Sequence, residues 1–395
     1  MNTSSDTQRR PGELDPAFGE GGRFALPHST GSIRSIVADD RGGYILAAWE
    51  ARECSLYRMF SDGTQDMQFG QNGVSRWAFV PGVDSLPIHL LLQPDGKILL
   101  IGKVGNDPFK RQTAFTRFNR SGSPDLVFGN RLIPTVDIST PSACLQADGK
   151  ILLLVVPNDG GAEETLLYRF LSDGDLDHEF GGQGFLTIRF NNQQSKGITV
   201  LSTDDGKILV GGTQRSESGE ITHVVIRLFI DGSLDSSFGL SGSWESESDR
   251  GMGKVIIDEE SIVCVGYEYL DSRMLACISK LTRDGIYASD FNNGKTLAVR
   301  IPADTPDWYV TCRSVAVQPD KSIVVGGDAG DDVSAYWLRV LPNGILDPTF
   351  GSNGIAGIDQ TSALFDIIVQ PSEQRILAAV DLDNPRKPFV FGIQL

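Results

Sequence analysis

The element Asp-x-x-Phe-Gly recurs along this chain, and a fixed period settles the architecture before any local propensity does. Its Phe falls at Phe18, Phe69, Phe128, Phe180, Phe238, Phe291 and Phe350, with successive spacings of 51, 59, 52, 58, 53 and 59 residues. A hairpin signal alternates with it, at Asp40–Tyr44 (degenerate), Pro94–Lys97, Ala147–Lys150, Asp204–Lys207, Asp258–Ser261, Pro319–Ser322 and Pro371–Arg375. Runs such as Ile98–Ile101, Ile151–Val156 and Ile323–Val325 are apolar at consecutive positions and bounded by turn residues, which predicts strands buried on both faces. Four strands per unit and seven units predict an all-β seven-bladed propeller of four-stranded antiparallel blades. Helical repeats are disfavoured by the Gly and β-branched content, and a β-helix coil is shorter than this period.

The phrases Gln93-Pro-Asp-Gly-Lys-Ile-Leu and Asp231-Gly-Ser-Leu-Asp-Ser-Ser-Phe-Gly239 resemble the delta-60 repeat, a bacterial β-propeller repeat. The resemblance covers nearly the whole chain and implies the propeller fold; it brings no catalytic motif with it. The Phe291 unit departs from the pattern, with Ala288 at the Asp position and Asn292 at the Gly position, so a looser joint is expected there.

The two ends of the chain are complementary. Gly22–Leu26 reads as a strand with no complete blade before it, whereas Ile367–Val369, Ile376–Val380 and Phe389–Leu395 supply three strands of a last blade. The N-terminal strand is therefore expected to complete that blade from outside, removing a free sheet edge. The division is a flexible tail over 1–12 and one propeller domain over 13–395.

Within a blade the order is inner strand, Asp-Gly turn, second strand, variable loop, third strand, repeated turn, outer strand, variable crossover. An antiparallel meander puts alternate connections on the same face. Both repeated turns thus share one face and both variable connections share the other, which is the expected binding face.

A formal net charge of −16 argues against nucleic acid or an anionic membrane as partner. The N-terminal residues lack the apolar core of a secretory signal, and no run is long enough for a membrane span. The five cysteines show no C-x-x-C spacing, which suits reduced thiols. Cys264 and Cys277 fall on adjacent strands and could face each other. The expected location is the cytoplasm, or outside the cell without a cleavable signal, and the expected state is a monomer.

Arg58–Asp66, Arg117–Asp125, Arg169–Asp177, Arg227–Asp235 and Arg339–Asp347 are each eight residues apart. A charge pair recurring in phase reads as a strut between third strand and turn, since the planar guanidinium holds a carboxylate in two places. Asn293-Gly-Lys-Thr296 lacks the leading Gly of a phosphate loop. The four histidines share no spacing that would make a catalytic metal centre.

Two sets on the variable loops carry the functional expectations. Trp308 and Tyr309, with Tyr267, Tyr269 and Phe109 and with Trp337 at a loop edge, offer flat surfaces for a ligand or partner. Asp304, Asp307, Asp328 and Asp331 could hold a hard cation, calcium, through oxygen ligands if they converge. The reading is a non-enzymatic binding or scaffold propeller for a protein or small-molecule ligand, with no cofactor beyond possible calcium. Competing with it are a carbohydrate-binding propeller and a calcium-dependent hydrolase or lactonase.

Overall fold

The apolar run Ile98–Ile101 shows how the core is built. Ile98 and Leu100 pack with Ile45, Ala47 and Leu56 of the preceding unit, while Leu99 and Ile101 pack with Ile151 and Leu153 of the following one. A strand whose alternate residues serve two cores must be apolar throughout, which is why the run does not alternate. The structure is a computed structural model that describes residues 10–27, 30–137, 139–157, 164–190, 194–247, 250–271, 273–302, 309–330, 333–383 and 386–395.

Seven blades surround one axis. Blade 1 comprises Ser32–Ala38, Tyr44–Glu50, Glu53–Met59 and Val74–Trp77; blade 2 comprises Ser85–Leu92, Ile98–Val104, Gln112–Phe118 and Asn130–Val136. Blade 3 is Ser142–Leu145, Ile151–Val155, Thr165–Phe170 and Phe185–Ile188, and blade 4 is Gln194–Ser202, Ile208–Arg215, Ile221–Leu228 and Ser243–Glu245. Blade 5 is Arg250–Ile257, Ser261–Leu270, Arg273–Thr282 and Leu297–Val299. Blade 6 begins with Val310–Val317, Ile323–Ala329 and Ser334–Val340, and its outer strand is the first part of Ile355–Gln370. That strand continues without a break as the inner strand of blade 7, against Arg375–Asp383 and then Arg386–Gln394.

The N-terminal strand closes the ring. Arg23–Ala25 pairs antiparallel with Arg386–Gln394, setting Arg23 opposite Phe391 and Ala25 opposite Phe389. Order also starts before residue 13. Gly12 donates its N–H to Gln394 O at 2.8 Å, and Pro11 O accepts from Gly351 N–H at 2.7 Å. The reason is local: Pro11 and Gly12 lie along the outer edge of blades 6 and 7, where backbone groups need partners. Residues 1–9 lie outside the described residues.

The repeated turn is a clasp between blades. In blade 4, Arg227 Nε donates to Asp235 Oδ2 at 2.7 Å, its Nη1 reaches Arg283 O of blade 5 at 2.8 Å, and its guanidinium lies 4.9 Å from the centre of the buried Phe238 ring. Gly239 N–H then donates to Asp284 O at 2.7 Å. Arg58–Asp66, Arg117–Asp125, Arg169–Asp177 and Arg339–Asp347 close in the same way at 2.8, 2.9, 2.7 and 3.1 Å. Three of the five carboxylates also receive a lysine from the second strand: Lys97, Lys150 and Lys207.

Blade 5 keeps the backbone of the clasp without its charges. Ala288 N–H donates to Lys280 O at 2.9 Å, Asn292 N–H donates to Asn343 O at 3.0 Å, and Phe291 is buried. Lys280 turns to the exposed Asp290, 3.6 Å away. Cys264 lies opposite Ser279, and Cys277 opposite Gly266, so the register does not set the two thiols against each other. All five cysteines are free.

Candidate ligand site in the axial channel

Six of the seven inner strands carry one extra residue near the end that faces the variable loops, among the described residues. The extra residues are Arg34, Ile88, Ile198, Gly253, Arg313 and Phe365, each skipped in the pairing with the second strand. A bulge of this kind re-aims a side chain out of the sheet. Here each bulged residue joins Pro141 of blade 3 in lining one cavity on the propeller axis, about 560 Å³ in volume.

One step inward, the residues after the bulges form a hydrogen-bonded ring. Ser35 Oγ accepts from Leu90 N–H at 3.2 Å, Ser142 Oγ from Val200 N–H at 3.1 Å, and Thr199 Oγ1 from Val255 N–H at 3.3 Å. Ser314 Oγ accepts from Ile367 N–H at 3.1 Å, and Asp366 Oδ2 from Ile36 N–H at 3.2 Å. Blades 1, 3, 4, 6 and 7 thus each hand an acceptor to the next. Lys254 occupies this position in blade 5, and an ammonium has no lone pair to offer. It faces Asp366 instead, with Nζ 4.0 Å from Oδ1.

Asp366 is saturated by protein donors. Its Oδ1 accepts from Ser314 Oγ (2.9 Å) and Ile367 N–H (3.1 Å), and its Oδ2 from Ser35 Oγ as well as Ile36. His89, in the ring from blade 2, has its pKa pushed down to about 4 by burial and by the nearby charge of Lys254, against the pull of Asp366. It is neutral at physiological pH.

The cations of the lining are less well served. Arg34 makes no hydrogen bond to any described residue, its buried Nε has no partner, and its guanidinium rests 4.3 Å from the centre of the Phe365 ring. Burial pulls its pKa down to about 10; Asp381 opposes this, while Arg386, Arg313 and Arg111 add to it. Lys196 has no ion-pair partner among the described residues and lines the same cavity. Arg313 is the exception: it pairs with the fully buried Asp328, whose other oxygen accepts Leu364 N–H at 2.6 Å. Burial raises the Asp328 pKa against the attraction of Arg313.

Of the aromatic residues singled out on the loops, Tyr267 lines the cavity. Its ring lies over Gly251, where a Cβ would stand 2.1 Å from a ring carbon, so the glycine makes room for it. Tyr269 packs edge-on against Tyr267 with centroids 5.6 Å apart and is half exposed. Tyr309 receives a hydrogen bond from Arg313 at 3.4 Å. Phe109 stands apart on blade 2, 83% exposed. Trp337, placed at a loop edge from sequence, is 2% exposed and donates to Gly12 O at 3.1 Å: it is core, fixed by the N-terminal segment. Trp308 lies outside the described residues, as do Asp304, Asp307 and Asp331. Of the proposed calcium ligands only Asp328 is described, and both of its oxygens are engaged by protein donors. Among the described residues no group of three or more His, Cys, Asp or Glu is placed to hold a metal ion. Nor is any helix among them long and apolar enough to cross a membrane.

Four segments, residues 93–128, 146–180, 203–238 and 318–350, match the family described as "Domain of unknown function (DUF5122) beta-propeller". They fall in blades 2, 3, 4 and 6, and the chain carries these repeats there. No curated protein matches the chain in sequence. Among solved structures, virginiamycin B lyase from Staphylococcus aureus superposes with a TM-score of 0.51 at 12% identity, covering 93% of this chain and 98% of its own. Drosophila Semaphorin 1b gives 0.54 at 10% identity over 98% and 88%, and Drosophila Semaphorin 2a gives 0.55 at 7% over 98% and 76%. At such identities the likeness is one of fold.

Proposed function

We propose that this propeller is a binding module that takes a small-molecule ligand into its axial channel from the variable-loop face, and that its repeats are of the delta-60 type. One observation carries the reading. Positions that hold the blades together repeat from blade to blade, whereas the seven positions that line the channel mouth are Arg34, Ile88, Pro141, Ile198, Gly253, Arg313 and Phe365. At the channel mouth the side chains differ in size and charge around the ring, as a site for an asymmetric ligand requires. The cavity volume of about 560 Å³ suits a drug-sized molecule. Nothing in the lining pairs a nucleophile with a base, and the histidine there is neutral and tied to its neighbours, so binding is the chemistry the channel supports.

The test is a ligand-observed NMR screen of a small-molecule collection against the native protein and Ile198→Trp. Ile198 is half-buried at a bulge, lines the channel and also packs against the core between blades 4 and 5, so the variant is first checked for native thermal unfolding. Hits that bind the native protein and are lost in the variant support the reading. Hits indifferent to the indole refute it.

A further inference from the structure

The lining of the channel runs against the charge of the chain. Four permanent cations, Arg34, Lys196, Lys254 and Arg313, border the cavity with one carboxylate, Asp366, in a protein whose formal net charge is −16. Surface charge in so acidic a protein is expected to be negative, and a cleft of opposite sign concentrates ions of the surface's own sign at its mouth.

Internal pairing does not account for these cations. Only Arg313 has a carboxylate in close contact. Lys254 stands 4.0 Å from an Asp366 oxygen that already accepts two hydrogen bonds. Arg34 stacks on Phe365 and leaves its donors unused, and Lys196 has no partner among the described residues. Half-buried guanidinium and ammonium groups without hydrogen-bond acceptors lose hydration that the Asp381 field, the Phe365 ring and the distant Asp366 oxygen replace only in part, and a ligand's acceptors would offset the rest. The lining also presents flat apolar surface beside the charges, in Phe365 and Tyr267.

Resting on the channel reading above, we infer that the ligand is a small organic polyanion with a flat apolar body, its negative groups met by Arg34, Lys196 and Lys254. Phe365 braces the Arg34 guanidinium with one face of its ring, a cation–π arrangement that holds the fork in place before the ligand arrives. Arg313, held by Asp328, contributes a fixed positive field rather than a free fork. Gly253 lets blade 6 approach closely, since a Cβ there would stand 2.0 Å from Cys312 O, and its backbone lines the channel beside Lys254.

The probe is benzene-1,3,5-tricarboxylate, compared by titration calorimetry with its neutral triamide of the same shape, on the intact chain. Tricarboxylate binding that weakens with added salt, while the triamide binds at least about tenfold more weakly, is the expected result. Arg34→Gln, Lys196→Gln and Lys254→Gln should each weaken the tricarboxylate by about tenfold, the value of one charge-assisted hydrogen bond. Lys196→Gln is the decisive variant, because Lys196 has no ion-pair partner among the described residues whose loss would disturb the fold. Equal affinity for the two probes, both abolished by Ile198→Trp, overturns the polyanion assignment and leaves the channel reading standing. Binding of either probe that ignores Ile198→Trp, or no binding of either at millimolar concentration, overturns both.

Discussion

Arg375 and Asp15 are 360 positions apart in the chain, and Arg375 Nε donates to Asp15 Oδ2 at 2.8 Å in the interior. The pair rebuilds, from the two ends of the chain, the charged clasp that blades 1, 2, 3, 4 and 6 make locally. In blade 7 the third-strand position of the clasp arginine is Gly392, whose carbonyl accepts Asp15 N–H at 2.8 Å as Arg58 O accepts Asp66 N–H at 2.9 Å. The cation comes instead from the second strand, at the place of Lys97, Lys150 and Lys207. Arg375 Nη1 then reaches Ser61 O of blade 1 at 3.1 Å, so one guanidinium ties the N-terminal segment, the last blade and the first. Breaking a buried pair from one side leaves the other charge without compensation, at about 3–5 kcal/mol. Asp15→Asn and Arg375→Gln are each expected to lower the unfolding free energy by about 3 kcal/mol, and the double variant by less than the sum of the two. Urea denaturation of the four proteins measures the cycle; additive effects would mean the two side chains are energetically independent.

Gly392 is the complement of that substitution. A Cβ there would stand 2.6 Å from Phe18 Cγ, so the ring of the N-terminal clasp occupies the space where the other blades carry an arginine. Gly392→Ala should cost about 1–3 kcal/mol by overpacking. The damage should fall on closure: limited proteolysis is expected to release a fragment cut after Leu26 faster than in the native protein.

Asp235 sets the acid limb of stability. Burial works to raise its pKa and is outweighed by hydrogen bonds from Ser237, Lys207 and Arg227, which hold the carboxyl well below its ordinary value. Asp15, Asp125 and Asp177 are lowered in the same sense. A carboxylate with a depressed folded-state pKa adds stability that is fully present above its unfolded pKa, about 4, and is lost as the pH falls through the folded value. Asp235→Asn is therefore expected to lower Tm at neutral pH, with the gap to the native protein closing as the pH drops below about 4. A gap that is constant with pH would assign the loss to packing rather than charge.

Much of the fold was legible because it repeats. The period of Asp-x-x-Phe-Gly gave the blade number, and the three-strand remainder at the C-terminus gave the closure by Arg23–Ala25. The eight-residue spacing of Arg and Asp marked the clasps, although not the reach of the Arg117, Arg169 and Arg227 guanidiniums into the next blade, which has no trace in one unit. The channel was illegible for a related reason. A bulge is a property of the pairing between two strands, so nothing in Ser-Ile-Arg-Ser-Ile marks Arg34 as the extra residue. Arg34, Lys196, Lys254 and Arg313 sit in four different blades and meet only after the ring has closed. The signal that was available is a small polar residue near the start of the inner strand, at Ser35, Ser142, Thr199 and Ser314, with His89, Lys254 and Asp366 as exceptions in the same phase.

The two described histidines with shifted pKa values govern stability between neutrality and the acid limb. His223 is fully buried, and burial, with a smaller contribution from the charge of Arg250 and against the backbone of Gly251, pushes its pKa from 6.5 down to about 4. His89 is pushed to about 4 as well, by burial and then by Lys254. A histidine depressed in the folded state is neutral there while the unfolded chain takes up the proton, so stability rises with pH between those two values and is lost on descending through them. Tm should therefore decline from about pH 6.5 toward pH 4, above the range in which Asp235 acts. His223→Gln should flatten this decline in part, and His89→Gln should flatten the remainder. The two histidines separate when the channel is occupied. A bound polyanion favours the charged form of His89, which lines the channel, more than that of His223, which lies behind the lining residues Gly251 and Thr213. Saturating benzene-1,3,5-tricarboxylate is thus expected to move the His89 ring-proton titration to higher pH in the NMR spectrum by more than that of His223. Equal movement of both, or of neither, would place the bound anion away from the ring that Lys254 and Asp366 complete.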